Sequence, residues 1–189
     1  NTALDANMAK IHILSTTTIT LKVYNEYDYR GLETSTLKEQ YTTVEEGKAD
    51  ILGLYLETQL KEMGESDAEL MESYTTFLAG IFRSIRFGAS SAHGKANLIR
   101  FNYFKEAGAF TVDPSGKYGV NFDKMKEAIL SLSTLILTIE GDGDYDRAVQ
   151  MAEQYGTMDD DLKDALKRIE DKYIPVDIVF QQGKKVLGL

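Results

Sequence analysis

The chain has 189 residues, a length that favours one compact domain with a single substantial core. Its net charge of -9 argues against nucleic-acid binding, because phosphate contacts need clustered Lys and Arg. Cysteine is absent, which excludes disulfides and cysteine nucleophiles. The absence slightly favours the cytoplasm, although proteins of oxidising compartments can also lack cysteine. No run approaches the roughly 20 apolar residues of a membrane span, so a soluble protein is expected.

The N-terminal segment, residues 1–36, is predicted to be irregular apart from one short strand. Apolar and polar side chains alternate from Thr18 to Val23, which is typical of a half-buried strand. The chain begins at Asn1 rather than Met and shows no charged-then-apolar leader. We therefore expect a processed product or a piece of a longer protein.

The remaining residues, 37–189, are predicted to form a compact, mainly α domain, in a chain that is a single domain overall. Apolar residues recur at helical spacing in about six segments, at 37–63, 66–87, 91–107, 122–139, 145–154 and 160–172. Capping-box patterns at Thr36-x-x-Glu39 and Ser66-x-x-Glu69 predict the starts of the first two helices. The turn Asp113-Pro114-Ser115-Gly116 predicts one small β-hairpin, and Pro175 predicts an extended tail over 174–180.

Three carboxylates stand close together on the first predicted helix, at Glu45, Glu46 and Asp50. Positions 46 and 50 share a face of a helix, whereas position 45 lies about 100° away. One interpretation is a solvated acidic face offset by Lys48. However, the apolar run 51–56 follows at once, which predicts that the acids lie at the rim of a core. A carboxylate in such a place needs a partner, and a metal ion is one.

The segment Glu45-Glu46-Gly47-Lys48-Ala49-Asp50 resembles the Glu-Glu-x-x-Ala-Asp/Glu motif of the dipeptidyl peptidase III family of metallopeptidases. The resemblance continues in order and approximate spacing through Phe77–Gly88, Ala92–Ala96, Glu106–Phe110 and Ile174–Ile178. It covers about Leu37 to Phe180 and is strongest with the branch that is fused to Nudix domains in plants and also occurs in bacteria. The resemblance implies that residues 37–189 correspond to the helical, zinc-bearing lobe of such an enzyme.

The resemblance also implies roles for individual residues. Glu46 would be a protein ligand of a catalytic zinc, with Glu45 and Asp50 as acids that orient the other ligands. His93 would bind substrate and stabilise the oxyanion; without the resemblance, a capping or core histidine is the alternative.

Two arginines on the second predicted helix are candidates for substrate binding. Arg83 and Arg86 precede His93 and could hold a substrate carboxylate, although a structural role is the favoured alternative.

The catalytic motif of that family is missing from this sequence. The family holds zinc with the two histidines of His-Glu-x-x-His, or of a variant one residue longer, and activates water with the glutamate. Aligning Met8–His12 with the motif keeps only His12, and aligning Asp5–Ala9 keeps nothing. Zinc binding is therefore expected to be weak or absent, and the isolated chain inactive. A substitute cluster of His12, Glu46 and His93 is a further alternative.

Three functions stay open from the sequence. The chain could be part of a zinc exopeptidase that removes short peptides from the N-terminus of a substrate. It could be a pseudopeptidase that serves as a peptide-binding or regulatory module. It could also be a piece whose missing N-terminal lobe normally closes the cleft. The expected partner is a peptide rather than nucleic acid or membrane, and an exposed cleft predicts self-association.

A second acidic segment imitates part of a calcium loop. Asp142-Gly143-Asp144-Tyr145-Asp146 and Glu153 match its ligand spacing, but Arg147 stands where that loop needs Gly. Asp144 also fits the N-cap of the following helix, which is the interpretation we favour.

Overall fold

The computed structural model describes residues 10–15, 18–22, 36–88, 90–176, 181 and 183–188. Within these residues the chain forms six helices of 11 residues or more, which confirms the mainly α prediction. Two compact units are present, Asn1–Met158 and Asp159–Leu189. The single-domain organisation with a boundary after residue 36 stays a prediction.

An antiparallel hairpin lies in the N-terminal segment. Strand β2 (Thr18–Lys22) confirms the predicted strand, and it pairs with β1 (Lys10–Ser15), which was not predicted. The register shifts between Ile13 and Ser15, as in a β-bulge. Polar and apolar residues alternate from Lys10 to Ile13, but the alternation ends where the bulge lies, so the pattern is too short to predict a strand.

The first two helices start later than their capping patterns predict. Helix α1 (Tyr41–Glu62) follows a 3-10 turn at Lys38–Gln40, and its N-cap Gln40 makes no side-chain capping bond. The cause is a positive φ of 49° at Lys38, which breaks the helical path between Leu37 and Tyr41.

Helix α2 (Leu70–Ile85) has Glu69 as its N-cap, again without a side-chain bond. The Ser66 hydroxyl accepts from the N–H of Ala68, two residues on, and Ser66 lies three residues before the N-cap, too early to cap the helix. Both predicted capping boxes are therefore wrong, although both helices exist.

Helix α3 (Ala92–Glu106) is the central helix of the first unit and packs against α1 and α2. Its N-cap Ser91 accepts from the N–H of Gly94 at 3.0 Å, and side chains on nearly every side of it are buried. The buried set includes an uninterrupted run from 96 to 101. A helix buried all round is expected to be apolar, so the charged Arg100 within that run needs a specific partner.

The predicted β-hairpin is confirmed as β3 (Phe110–Val112) and β4 (Tyr118–Val120), with Phe110 opposite Val120. Aromatic rings attach it to the helices. The Tyr118 ring lies 4.8 Å from that of Phe82 on α2, and the Phe110 ring lies 5.1 Å from that of Phe101 on α3. Such tilted and edge-to-face pairs stabilise beyond the area that they bury.

Helix α4 (Phe122–Asp142) packs along α1, and α5 (Tyr145–Tyr155) packs against α3. The turn between α4 and α5 depends on Gly143, which has a φ of 63°. Its N–H and that of Asp144 return to the carbonyls of Glu140 and Ile139, as in a Schellman cap.

The second unit contains α6 (Asp160–Asp171) and a short helix α7 (Lys184–Leu187). Asp159 caps α6 by accepting from the N–H of Leu162 at 2.8 Å. The predicted extended tail lies partly outside the described residues, which omit 177–180. Among the helices described, none is long and apolar enough to cross a membrane.

Candidate functional site

Glu46 on α1 and His93 on α3 contact each other through their side chains. The His93 Nε2 atom lies 3.2 Å from Glu46 Oε2. His93 occupies the first turn of α3, where the Asn97 amide donates to its carbonyl oxygen at 2.8 Å. The side chains of Glu46 and His93 are 33% and 69% exposed, so both stay accessible to a ligand from solvent.

One turn further along α1, Asp50 meets a cation that belongs to the core. Asp50 Oδ2 lies 2.7 Å from Nη2 of Arg100, whose side chain is only 1% exposed. Burial lowers the pKa of Arg100, and the charge and hydrogen bond of Asp50 oppose that effect. Nη1 of the same guanidinium lies 3.5 Å from the carbonyl oxygen of Glu46, at the long limit of a hydrogen bond.

Glu45 faces a different neighbour, as its 100° offset predicts. Lys48 Nζ lies 2.5 Å from Glu45 Oε2 and 2.8 Å from Glu140 Oε2 on α4. Burial by itself lowers the pKa of Lys48, but the hydrogen bonds and charges of Glu140 and Glu45 outweigh it, so the pKa is raised. Lys48 therefore joins α1 to α4 and is not merely a solvated counter-charge.

The three acids lie at the rim of the core, as the sequence predicts. The neighbouring run 51–56 is less buried than expected, because only Ile51 and Leu54 fall in the buried class and the other four residues are intermediate. Helix α1 packs mainly against α3 and α4, with weaker packing against α2 and β2.

Sequence reasoning missed Arg100 and Glu140 as partners of the acidic helix. Each carries a detectable signal, because each is a charged residue beside an apolar run, Leu98-Ile99 before Arg100 and Leu135–Ile139 before Glu140. Such a signal shows that a partner is needed without showing which residue provides it.

The two candidate arginines lie at the end of α2. The Arg83 guanidinium stacks over the Phe87 ring, with 5.2 Å from Cζ to the ring centroid. Arg86 is the C-cap residue of α2. Their proposed roles in substrate binding stay predictions, as do the roles of His93 and Glu46.

The described residues do not form a complete zinc site. Among them no three His, Cys, Asp or Glu side chains lie together as a metal site would need. Glu46 and His93 supply two candidate ligand atoms, whereas a catalytic zinc takes three protein ligands. His12 lies in β1, but its side chain is outside the described part of the chain, as are residues 1–9. The substitute cluster with His12 therefore stays a prediction.

The acidic segment at 142–146 is a helix connection in the structure. Asp144 Oδ1 accepts from the N–H of Arg147 at 3.0 Å, which confirms Asp144 as the N-cap of α5.

The described architecture is dipeptidyl-peptidase III-like. Dipeptidyl peptidase III from Caldithrix abyssi superposes with a TM-score of 0.72 at 40% identity, over 77% of this chain and 28% of that one. The enzyme from Corallococcus sp. strain EGB gives 0.72 at 36% identity, over 78% and 27%. Together these likenesses define a peptidase-related helical domain.

A similar sequence also occurs in a plant protein with a different name. Nudix hydrolase 3 from Arabidopsis thaliana is 44% identical over 153 residues, which is 78% of this chain and 20% of that protein. The chain thus spans about a fifth of this relative and just over a quarter of the two peptidases. No model of a known protein family matches the sequence.

Proposed function

We propose that this chain is part of, or a degenerate relative of, a zinc-dependent dipeptidyl-peptidase III-like exopeptidase that acts on short peptides. We further propose the branch that is fused to Nudix domains in plants and also occurs in bacteria, because the motifs of the sequence resemble that branch most. The observation that carries the proposal is the contact between Glu46 and His93 within a dipeptidyl-peptidase III-like fold.

By itself the chain is proposed to be inactive. Zinc comes from the family resemblance, and Glu46 is the residue proposed to bind it. A complete site requires ligands that residues 36–88 and 90–176 do not supply. In this proposal a further lobe of a longer protein provides them and closes the cleft.

The test is elemental analysis of the purified chain after zinc addition and dialysis, together with release of naphthylamine from a dipeptidyl-naphthylamide. We expect no stoichiometric zinc and no hydrolysis. One zinc per chain that Glu46→Ala removes, while Glu153→Gln on α5 keeps it, would contradict the proposed inactivity.

The alternative is a pseudopeptidase that binds peptides without cleaving them. The partly exposed Glu46 carboxylate and the exposed His93 imidazole favour it, because they offer an acceptor and a donor to the backbone or terminal ammonium of a peptide. Isothermal titration with trialanine tests this alternative. We expect Glu46→Gln to weaken binding and Glu153→Gln to leave it unchanged; equal effects of the two variants would count against a peptide site at Glu46.

A further inference from the structure

Arg100 is the feature of this site that neither the motif nor the family resemblance accounts for. It is among the largest fully buried side chains of the chain, with 1% exposure. Removing a guanidinium from water costs several kcal/mol unless hydrogen bonds and an opposite charge compensate. A buried arginine in the central helix therefore requires a specific reason.

The guanidinium is directed at one turn of α1. Nη2 binds the Asp50 carboxylate at 2.7 Å, and Nη1 approaches the Glu46 carbonyl oxygen at 3.5 Å. In an α-helix that carbonyl also accepts from the N–H of residue 50, so Arg100 contacts both ends of a single helical turn. Its Nε finds no hydrogen-bond partner among the described residues, so the contacts with α1 are made by the two terminal nitrogens.

Arg100 and His93 lie on the same helix, seven residues apart. Seven residues are about two turns, so the two side chains point to the same side of α3. Both reach Glu46, His93 through the carboxylate and Arg100 through the backbone. The Phe77 ring, 5.7 Å from the guanidinium carbon, packs against Arg100 from α2.

We propose that Arg100 is a positioning residue that fixes the axial register of α1 against α3 and thereby sets the distance between Glu46 and His93. This inference deepens the proposed function, since it concerns the same pair of side chains. Arg100 does not touch the ligand in this proposal. It acts through Asp50 and the backbone of Glu46.

The experiment compares the chain with Arg100→Met, Arg100→Lys and Asp50→Asn/Arg100→Met variants. The readout is the ring ¹³C–¹H spectrum of His93 at one fixed pH, which is simple because the chain has only two histidines. Tyr74→Phe is the matched control. It removes the 2.9 Å buried hydrogen bond between Tyr74 and Thr58, which loosens α1 against α2 without touching Arg100.

We expect Arg100→Met to shift the His93 signals. Tyr74→Phe, which also weakens the packing of α1, should leave them in place. Lysine can reach Asp50 but not also the Glu46 carbonyl, so Arg100→Lys should fold and still shift the His93 signals. If Arg100→Met does not fold, the Asp50→Asn/Arg100→Met variant removes the orphaned carboxylate and serves in its place. Wild-type His93 signals in the folded Arg100 variants, or an equal shift in Tyr74→Phe, would overturn the inference.

Trialanine titration of the same proteins separates this inference from the proposed function. We expect the Arg100 variants to bind about tenfold more weakly than wild type, as when one hydrogen bond of about 1.4 kcal/mol is misaligned. If wild type does not bind trialanine while the His93 signals follow Arg100 as expected, the peptide-binding alternative fails and the positioning role stands.

Discussion

Replacing Lys48 by Met should destabilise the fold strongly at neutral pH, because it takes a close cation away from the buried carboxylate of Glu140. The side chains of Lys48 and Glu140 are 19% and 5% exposed, and Nζ lies 2.8 Å from Oε2. At an effective dielectric constant of about 20, the attraction at this distance is about 6 kcal/mol before desolvation is subtracted. Breaking one partner of a buried pair typically costs about 3 to 5 kcal/mol. The half-exposed Glu45 adds little, so we expect a loss of about 3 kcal/mol.

A double-mutant cycle tests the origin of that loss. Glu140→Gln removes the buried charge, so Lys48→Met/Glu140→Gln should be more stable than Lys48→Met, with a coupling free energy of about 2 kcal/mol. Urea unfolding of the wild type and the three variants gives the four free energies. A Lys48→Met loss under about 1 kcal/mol, or strict additivity, would refute an energetically coupled pair between α1 and α4.

The raised pKa of Lys48 fixes the direction of the pH dependence. Because the folded protein holds this proton more tightly than the unfolded chain, the stabilisation is complete below the unfolded pKa of about 10.4. It is lost as the pH rises through the folded pKa. Lys48→Met should lack this alkaline loss, and an unchanged alkaline profile would show that another group causes it.

Three further predictions concern the helix connections and the α3–α5 contact. Gly143→Ala should lower the unfolding free energy by about 1 kcal/mol or more, because φ is 63° and a Cβ would lie 3.1 Å from Thr36. Gly53→Ala, which has open space around it on α1, should instead raise the unfolding free energy by up to about 1 kcal/mol. Equal effects of the two variants in urea unfolding would contradict this prediction. Asp144→Ala should lower the unfolding free energy by about 1 kcal/mol, because α5 loses its N-cap. Calcium should not raise the melting temperature of the wild type. A calcium-dependent rise that Asp144→Ala abolishes would restore the calcium-loop interpretation. Burial and the Glu106 carboxylate raise the pKa of Tyr155 to about 12. The stability of the fold should therefore decrease as the pH rises from the unfolded pKa of about 10 towards 12. Tyr155→Phe should remove that part of the decrease in alkaline unfolding curves.

Much of the local structure could be predicted because the determining interactions are close in sequence. The helical spacing of apolar residues gave all six long helices, and Asp144 could be recognised as a cap from its place before Tyr145–Tyr155. The shared face of Glu46 and Asp50 follows from helix geometry, and their carboxylates contact His93 and Arg100, which both lie on α3. The two capping boxes were wrong because the backbone has a positive φ at Lys38 and becomes helical only after Glu69, three residues beyond Ser66.

Only the tertiary structure decided which charges pair. The sequence by itself determined that Glu45, Glu46 and Asp50 would stand at the rim of a core and need partners, because composition and helical period fix which side of α1 is apolar. It could not determine that Lys48 would also bind Glu140 on α4, that Arg100 would bind Asp50, or that Glu46 would face His93. Those choices depend on distances of a few ångströms between α1, α3 and α4 and on the burial of each charge. Both quantities arise only when helices from distant parts of the chain pack together.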